Sequence, residues 1–332
     1  MVLMKLFKIF QANDRLTKIC SYLLLIAIIL TTLFCLAGYW RGSIFFELIS
    51  HFKVQYFVIS IILFGLLTII GTKRLLLVAL FCVVINLSPI LPWYIYQSGI
   101  SHENTGNLRV LVYNLLFNNT NYSQVIAMIR EENPDIAVLV EMSDRWLFPL
   151  QQINDTLPYS VTEASKAGVA IYSKLPLANQ SVQYFVSQRP TIIADFKINQ
   201  QVISLVATHP SIPIKKSTFK ERNQILAQVT NYVQQLNNPV IITGDLNTTM
   251  WSPYYQNLIQ QTGLRNSRLG FGIIPTWPTN SKYSMIPSAL SWFFQIPIDH
   301  CLISPEIEVV SVDTGANVGS DHLPFITDLF IR

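Results

Sequence analysis

Three apolar stretches fill most of the first hundred residues: Ser21–Tyr39, Val54–Ile70 and Leu75–Leu91. Each approaches the ~20 residues that a helix needs to cross ~30 Å of hydrocarbon. A chain that begins in this way is not a single ordinary soluble domain. The second and third stretches are joined by Gly71-Thr72-Lys73-Arg74, a turn too tight and too charged to lie inside a bilayer. A cleaved signal peptide is the alternative reading of the first stretch. It is disfavoured because two more stretches follow, no A-x-A-like site ends it, and Cys35 lacks the small residues expected before a lipidated cysteine. Core helices of a soluble fold are the alternative for the second and third. Lys5, Lys8, Arg15 and Lys18 precede the first stretch and Lys73-Arg74 separate the last two, so the positive-inside rule places both groups on the cytoplasmic side. Three crossings of a plasma (inner) membrane then leave the rest of the chain outside the cytoplasm. Tyr39-Trp40 and Trp93-Tyr94 with Tyr96 fall where the outer interface would be, while Arg41 and Lys53 in the outer loop are partly balanced by Glu47.

Composition supports a divided chain. Of 332 residues, 51% are hydrophobic and only 13% charged, and a mean hydropathy of +0.37 is the average expected of a membrane part joined to a soluble part. The net charge of +4 does not mark a polyanion-binding protein. Eight basic residues (Lys5, Lys8, Arg15, Lys18, Arg41, Lys53, Lys73, Arg74) face only Asp14 and Glu47 in the first hundred positions, leaving 15 basic and 17 acidic residues for the remainder. The basic excess therefore belongs to the membrane flanks. Four scattered cysteines form no CxxC pair and exclude a disulfide scaffold or a zinc ribbon, and Cys301 stands alone in the soluble part, which fits an oxidising compartment.

From Leu108 onward the hydrophobic period shortens. Leu108–Tyr113, Ile136–Val140, Val169–Ser173, Thr191–Ile198, Val202–Thr208, Val240–Thr243, His300–Ser304, Ile307–Val312 and Phe325–Ile331 read as strands. Val125, Ile126 and Ile129 place a helix on Tyr122–Glu132, stopped by Asn133-Pro134. Phe219, Leu226, Val229, Val233 and Leu236 share one face of a longer helix that Thr218-x-x-Glu221 would cap. Many short strands with a few helices between them predict an α/β fold, a two-sheet α/β sandwich. The expected domains are a membrane anchor over 1–96 with three transmembrane helices, a linker over 97–107, and a soluble domain over 108–332.

Several of these strands end in polar residues. The first runs into Asn114, the second into Glu141, Val202–Ala207 into Thr208-His209-Pro210, and Val240–Ile242 into Thr243-Gly244-Asp245-Leu246-Asn247. Pro297-Ile298 leads to Asp299-His300, and Gly319-Ser320 to Asp321-His322-Leu323-Pro324. A lone Asn or Asp after a strand is usually a turn former. Here three of the chain's five histidines, His209, His300 and His322, fall inside the set, two of them directly after Asp. Strand ends and their loops converge at one rim, and oxygen-rich acids there favour a hard cation, Mg²⁺ or Mn²⁺.

In order and spacing, LRVLVYN, PDIAVLVEM, GVAIYSK, ATHP, IITGDLN, PIDHCLIS and GSDHLPF resemble the motifs of the endonuclease/exonuclease/phosphatase superfamily of DNase-like metal-dependent phosphoesterases, over nearly all of residues 107–332. Three apolar spans ahead of such a domain resemble its bacterial membrane-anchored branch, which includes phosphatases of lipid-linked pyrophosphate. The resemblance implies that Glu141 is the principal metal ligand, with Asn114 beside it and Asp321 completing the metal environment. It further implies that Asp245 orients or deprotonates the attacking water, that Asn247 holds a phosphate oxygen, and that His322, oriented by Asp299, contacts the scissile phosphate. His209 matches the second catalytic histidine of the nuclease and sphingomyelinase branches.

The chain departs from the pattern at His300, where several DNA-repair members carry Tyr. Trp277 and Trp292-Phe293-Phe294 read either as core packing or as an exposed lipid-facing rim. Arg222 reads as part of a solvated helix face, with a phosphate contact as its alternative. The expected activity is hydrolysis of a phosphate or pyrophosphate ester, lipid-linked and outside the cytoplasm, with the lipid bilayer and the phosphoester as partners. A nuclease is the competing enzyme reading, disfavoured by the charge balance. A catalytically inactive binding protein is disfavoured because clustered buried acids are costly without a cation.

Overall fold

The computed structural model describes residues 14–95, 100, 105–279 and 287–332. These fall into two compact units, Met1–Pro92 and Trp93–Arg332. The expected linker lies largely outside the described residues, as do Lys5, Lys8 and Tyr96. Its described members are tied down: Ile100 pairs with Val309, and the Asn107 side chain donates to the Ile331 carbonyl and accepts from its N–H. Trp93, just ahead of it, accepts from the N–H groups of Gly270 and Gly272.

The first unit is helical. Helices Asp14–Ala37 and Lys53–Ile70 are long and apolar enough to cross a membrane by length and composition, with mean hydropathies of 2.6 and 2.1. The third expected span is a shorter helix, Lys73–Leu87. Its 15 residues rise only about 22 Å at ~1.5 Å each. Lys73 and Arg74, expected in the turn, form its first turn, and Gly71-Thr72 alone make the joint. A short helix, Ile44–Ser50, occupies the expected outer loop. Lys53 is not a loop charge: it is buried, donates to the Cys35 carbonyl and lies 4.0 Å from the Tyr39 ring centroid. Leu25, Ile28, Leu67, Ala79 and Cys82 form the small core of this unit, where Asn86 bonds Thr32 across the helices at 2.8 Å.

Two six-stranded sheets make up the second unit. Its strands are β1 (Leu108–Asn114), β2 (Ile136–Val140), β3 (Tyr159–Glu163), β4 (Val169–Ser173), β5 (Leu177–Gln183), β6 (Thr191–Ile198), β7 (Gln201–Thr208), β8 (Val240–Asp245), β9 (Arg265–Asn266), β10 (Asp299–Ile303), β11 (Glu308–Thr314) and β12 (Phe325–Phe330). One sheet runs β11-β12-β1-β2-β4-β3 and the other β5-β6-β7-β8-β10-β9. Among the described residues each contains one parallel pair, β1/β2 in the first and β7/β8 in the second. Parallel neighbours need a crossover. Helices Tyr122–Glu132 and Lys216–Val233 supply the two crossovers, so the C-terminal ends of all four parallel strands lie at the same end of their sheets.

Strand side chains alternate between faces, and this decides which residues meet. Val110 and Val112 of β1, Val138 and Val140 of β2, Leu205 and Ala207 of β7, Ile241 of β8 and Cys301 of β10 belong to the core between the sheets. Leu111, Tyr113, Ala137 and Leu139 pack instead with Val125, Ile129 and Trp146 on the outer face. Burial on both faces explains why these strands are apolar without interruption.

Sequence patterning missed β3, β5 and β9 and the helices Asp144–Leu150, Pro253–Thr262 and Ser288–Ser291. β3 and β5 are half-exposed edge strands, so no continuous apolar run marks them. The long helix begins earlier than the expected cap. Lys215 precedes it, and Thr218, in its first turn, bonds the Lys215 backbone. It ends at Val233, leaving Leu236 outside.

Candidate active site

In-phase continuation of the strands places the polar residues. Asn114 follows Val110 and Val112, Asp245 follows Ile241, Asp299 precedes Cys301, and His209 follows Leu205 and Ala207, each in step with the inter-sheet face. The apolar filling therefore gives way to acids, amides and imidazoles at one end of the sandwich. Register brings two of these together directly, since Asp245 and Asp299 are opposite partners on β8 and β10. Gly244 lets β8 close up on β7 beside this pair: at φ +144°, a Cβ there would stand 2.0 Å from the Thr208 carbonyl oxygen. Glu141, just past β2, has φ +55°, a left-handed conformation that a non-glycine residue adopts at a cost.

Asn114 is the hub. Its Nδ2 donates to Asp245 Oδ2 at 3.0 Å and to Glu141 Oε1 at 3.2 Å, while its Oδ1 accepts from the Leu116 N–H. The other Glu141 oxygen accepts from the Phe117 N–H at 2.9 Å. His322 Nδ1 lies 2.8 Å from Asp299 Oδ2, and its Nε2 faces Asp245 Oδ2 at 3.7 Å. His209 Nδ1 donates to the Asp245 carbonyl at 3.2 Å, leaving Nε2 directed at Glu141 Oε1, 3.7 Å away. Asp245 is held from its other side by the Asn247 N–H on Oδ1 at 2.9 Å.

Burial and charge set the protonation states. Burial raises the Asp245 carboxyl, and the neighbouring Asp299 adds to this against the histidines, bringing it to about 6. That is the range in which a carboxylate works as a base near neutrality. Burial alone would push the His322 imidazole down, but Asp299 and Asp245 outweigh it and lift the group to about 10. Asp299 is lowered in turn, burial being overcome by His322. Glu141 also resists burial: His209 and the Phe117 N–H bring it to about 2. Asp245, Asp299 and His322 offer ligand atoms within 4.8 Å of one another. With Glu141 beside them, this buried cluster holds more carboxylates than imidazoles, a donor set that suits a hard divalent cation.

Other expected residues take different places. Asp321 turns its carboxylate to the Trp277 indole N–H at 3.0 Å. The Asn247 amide donates to the Pro210 carbonyl at 3.0 Å and lies 3.4 Å from Asp245 Oδ2, so it braces the site from within. His300 points to the opposite face of β10, buried against Tyr255. Its Nε2 donates to Thr248 O at 2.8 Å and its Nδ1 accepts from Asn266. Burial and Arg268 lower it to about 3, so it is a neutral structural histidine. Arg222 is not solvated: it is fully buried, its guanidinium 5.5 Å from the Tyr254 ring and 5.8 Å from that of Phe219. The aromatic group divides, with Trp277 half-buried and Trp292 exposed. Arg189 was missed. It donates to the His209 carbonyl at 3.4 Å, close enough for Glu141 and Asp245 to act on its charge, but its loop carries no apolar pattern that singles it out.

The endonuclease/exonuclease/phosphatase family model matches residues 111–322, a span that runs from β1 through His322. The chain belongs to the endonuclease/exonuclease/phosphatase family. Its members are phosphoester hydrolases that generally use divalent metals. Solved structures agree on the fold. Truncated TDP2 from Caenorhabditis elegans superposes with a TM-score of 0.54 at 18% identity, covering 67% of this chain and 97% of that one. An endonuclease/exonuclease/phosphatase from Beutenbergia cavernae gives 0.53 at 19% identity, covering 68% and 71%. An AP endonuclease from Archaeoglobus fulgidus gives 0.53 at 18%, covering 66% and 98%. No curated protein sequence matches the chain.

Proposed function

We propose that this family member is a membrane-anchored, Mg²⁺- or Mn²⁺-dependent phosphoesterase that hydrolyses a lipid-linked phosphate or pyrophosphate ester outside the cytoplasm. The observation that carries the chemistry is the buried relay Asp299–His322–Asp245 with Glu141 beside it. Asp299 holds the imidazolium of His322, whose Nε2 N–H then stabilises charge gathering on a phosphoryl oxygen. Asp245, held by Asn114 and Asn247, takes the proton of the attacking water. Glu141, with Asn114 beside it, would hold the cation. When bound, that cation offsets phosphoryl charge and orients the ester. Arg189 adds a further positive charge beside the same rim.

The membrane part of the proposal rests on the two long apolar helices. Counting Lys73–Leu87 and the apolar residues after it as a third crossing puts the catalytic domain outside. A reporter active only beyond the membrane, fused after Arg332, is expected to give signal, and signal from a cytoplasm-only reporter instead would move the substrate search to the cytoplasm. The similarity to an AP endonuclease makes nucleic acid the competing substrate. Against it stand 15 basic and 17 acidic residues beyond position 100, a poor footprint for a duplex. The test is the initial rate of the full chain in detergent micelles on a lipid pyrophosphate and on duplex DNA, at matched phosphate and moderate salt. The lipid is expected to be cut faster, and efficient DNA cleavage with an inert lipid would overturn the reading.

A further inference from the structure

Two segments leave the catalytic rim from the strands that flank β8, and both expose apolar side chains. Ser211–Lys216 follows His209-Pro210 at the end of β7. Within it the pattern is inverted from that of a core, with Ser211 and Pro213 buried while Ile212 and Ile214 are 45% and 59% exposed. A bond from the Ile214 N–H to the Ile212 carbonyl, 3.0 Å, tightens the turn that holds both side chains out. Lys215 and Lys216 follow directly and are exposed, and among the described residues no carboxylate pairs with either. The second segment enters β10. There Leu290 is 49% and Trp292 69% exposed. The Trp292 indole N–H is spent on the Ala289 carbonyl at 3.0 Å, so what it shows to its surroundings is the apolar part of its ring.

Exposed isoleucines beside lysines after β7, and an outward tryptophan before β10, give the rim around β8 apolar tips and a cationic flank. Water solvates such a surface poorly, whereas a lipid interface takes the apolar tips below the headgroups and pairs the lysines with anionic phosphates. We infer that Ile212, Ile214, Leu290 and Trp292, flanked by Lys215 and Lys216, dock the catalytic rim onto an anionic phospholipid surface. The inference deepens the proposed action on a lipid-linked ester, because a rim seated among headgroups meets its phosphate at the depth where that phosphate lies. It commits to a bilayer because the same chain carries two helices apolar enough to enter one.

The test needs no substrate, so its result is independent of the activity assay. The full chain is placed in nanodiscs of phosphatidylcholine, with or without phosphatidylglycerol, whose acyl chains carry bromine near the headgroups, and tryptophan quenching is measured. The contribution of Trp292 is the difference between wild type and Trp292→Phe. It is expected to be present, to be larger with phosphatidylglycerol, and to fall about twofold or more when the same difference is taken on Lys215→Glu/Lys216→Glu or Ile212→Ser/Ile214→Ser backgrounds. An unfolding midpoint like that of wild type in each variant separates loss of docking from loss of fold. Equal quenching of wild type and Trp292→Phe, or a Trp292 contribution indifferent to both background pairs, overturns the inference. Quenching as expected with no hydrolysis of a lipid ester leaves the docking surface standing and removes the proposed substrate. Hydrolysis without quenching does the reverse.

Discussion

Arg109 near the start of β1 and Asn114 at its end each sit in a polar cluster, and the two clusters treat charge in opposite ways. At the first, the Arg109 guanidinium grips both oxygens of Asp328 at 2.7 and 2.9 Å, with Glu132 3.7 Å away and Lys174 on Asp135 at 3.2 Å. Every one of these groups is partly exposed, Arg109 by 39%. Each of these carboxylates has a cation within 4 Å, and water does the rest. Around Asn114, Asp245 and Asp299 are closed off from water, and the carboxylates outnumber the histidines beside them. A cleft lined by charged residues lies at the Arg109 end, so a cleft and polar side chains do not by themselves make a site. What separates the two ends is uncompensated charge held out of water, which persists only where a proton or a cation is meant to arrive.

The largest expected effect tests whether the buried end acts as one unit. Asp245→Asn and His322→Ala are each expected to lower kcat by about 10²- to 10⁴-fold with little change in KM, since both groups act on the transition state. The double variant should lose hardly more than the worse single one, and a loss equal to the product of the two would show that they work separately. Next, Glu141→Gln is expected to cost at least ~10²-fold in activity with the fold retained. Full activity of the wild type after chelation of divalent ions would break the contrast between the ends, since the surplus carboxylates would then need no cation.

A third expectation concerns pH and is measured on cation-free protein. The His322 imidazole is raised from 6.5 to about 10, so its contribution to folding is complete below pH 6.5 and is lost as pH rises through about 10. Asp245 is raised from 3.8 to about 6, and its contribution is likewise lost as pH rises through that value. Glu141 has the other sign: lowered from 4.5 to about 2, it stabilises above pH 4.5 and ceases to do so as pH falls through 2. The unfolding midpoint should therefore decline between pH 6.5 and 10. His322→Asn should flatten that limb, a change of a few degrees at about 2–4 °C per kcal/mol; a limb that survives the substitution would assign it to other groups. The smallest effect belongs to the matched end. Arg109→Met is expected to cost about 1 kcal/mol or less, as half-exposed pairs do, and to leave kcat unchanged. A large loss of activity there would mean that the two ends are coupled through β1.

Much of this was legible in local pattern. The apolar runs that became β1, β2, β4, β6 and β7 are long enough and bounded clearly enough to be read one at a time, and the residues closing them, Asn114, Glu141, His209 and Asp245, could be singled out because each breaks such a run. Period-two counting back from Ile303 and Cys301 would also have separated Asp299, in step with the inter-sheet face, from His300, which is out of step. Edge strands were not legible, because a strand with one face in water needs no apolar run. Nor was the length of the third apolar helix, since composition does not show where a helix stops.

Residue order alone separates an apolar helical part from an α/β part and marks the residues that end its strands, because burial of a strand or a helix is written in the period of its own residues. Which ends meet follows instead from how the sheets pack. Asp299 stands opposite Asp245 because β10 lies beside β8, and Asp321 faces Trp277 instead of the other acids. Arg222 is buried under two rings, and Arg189 reaches the His209 carbonyl from a loop with no pattern of its own. Contacts of this kind join residues far apart in the chain, and they are set by the packing of whole sheets, which no local period encodes.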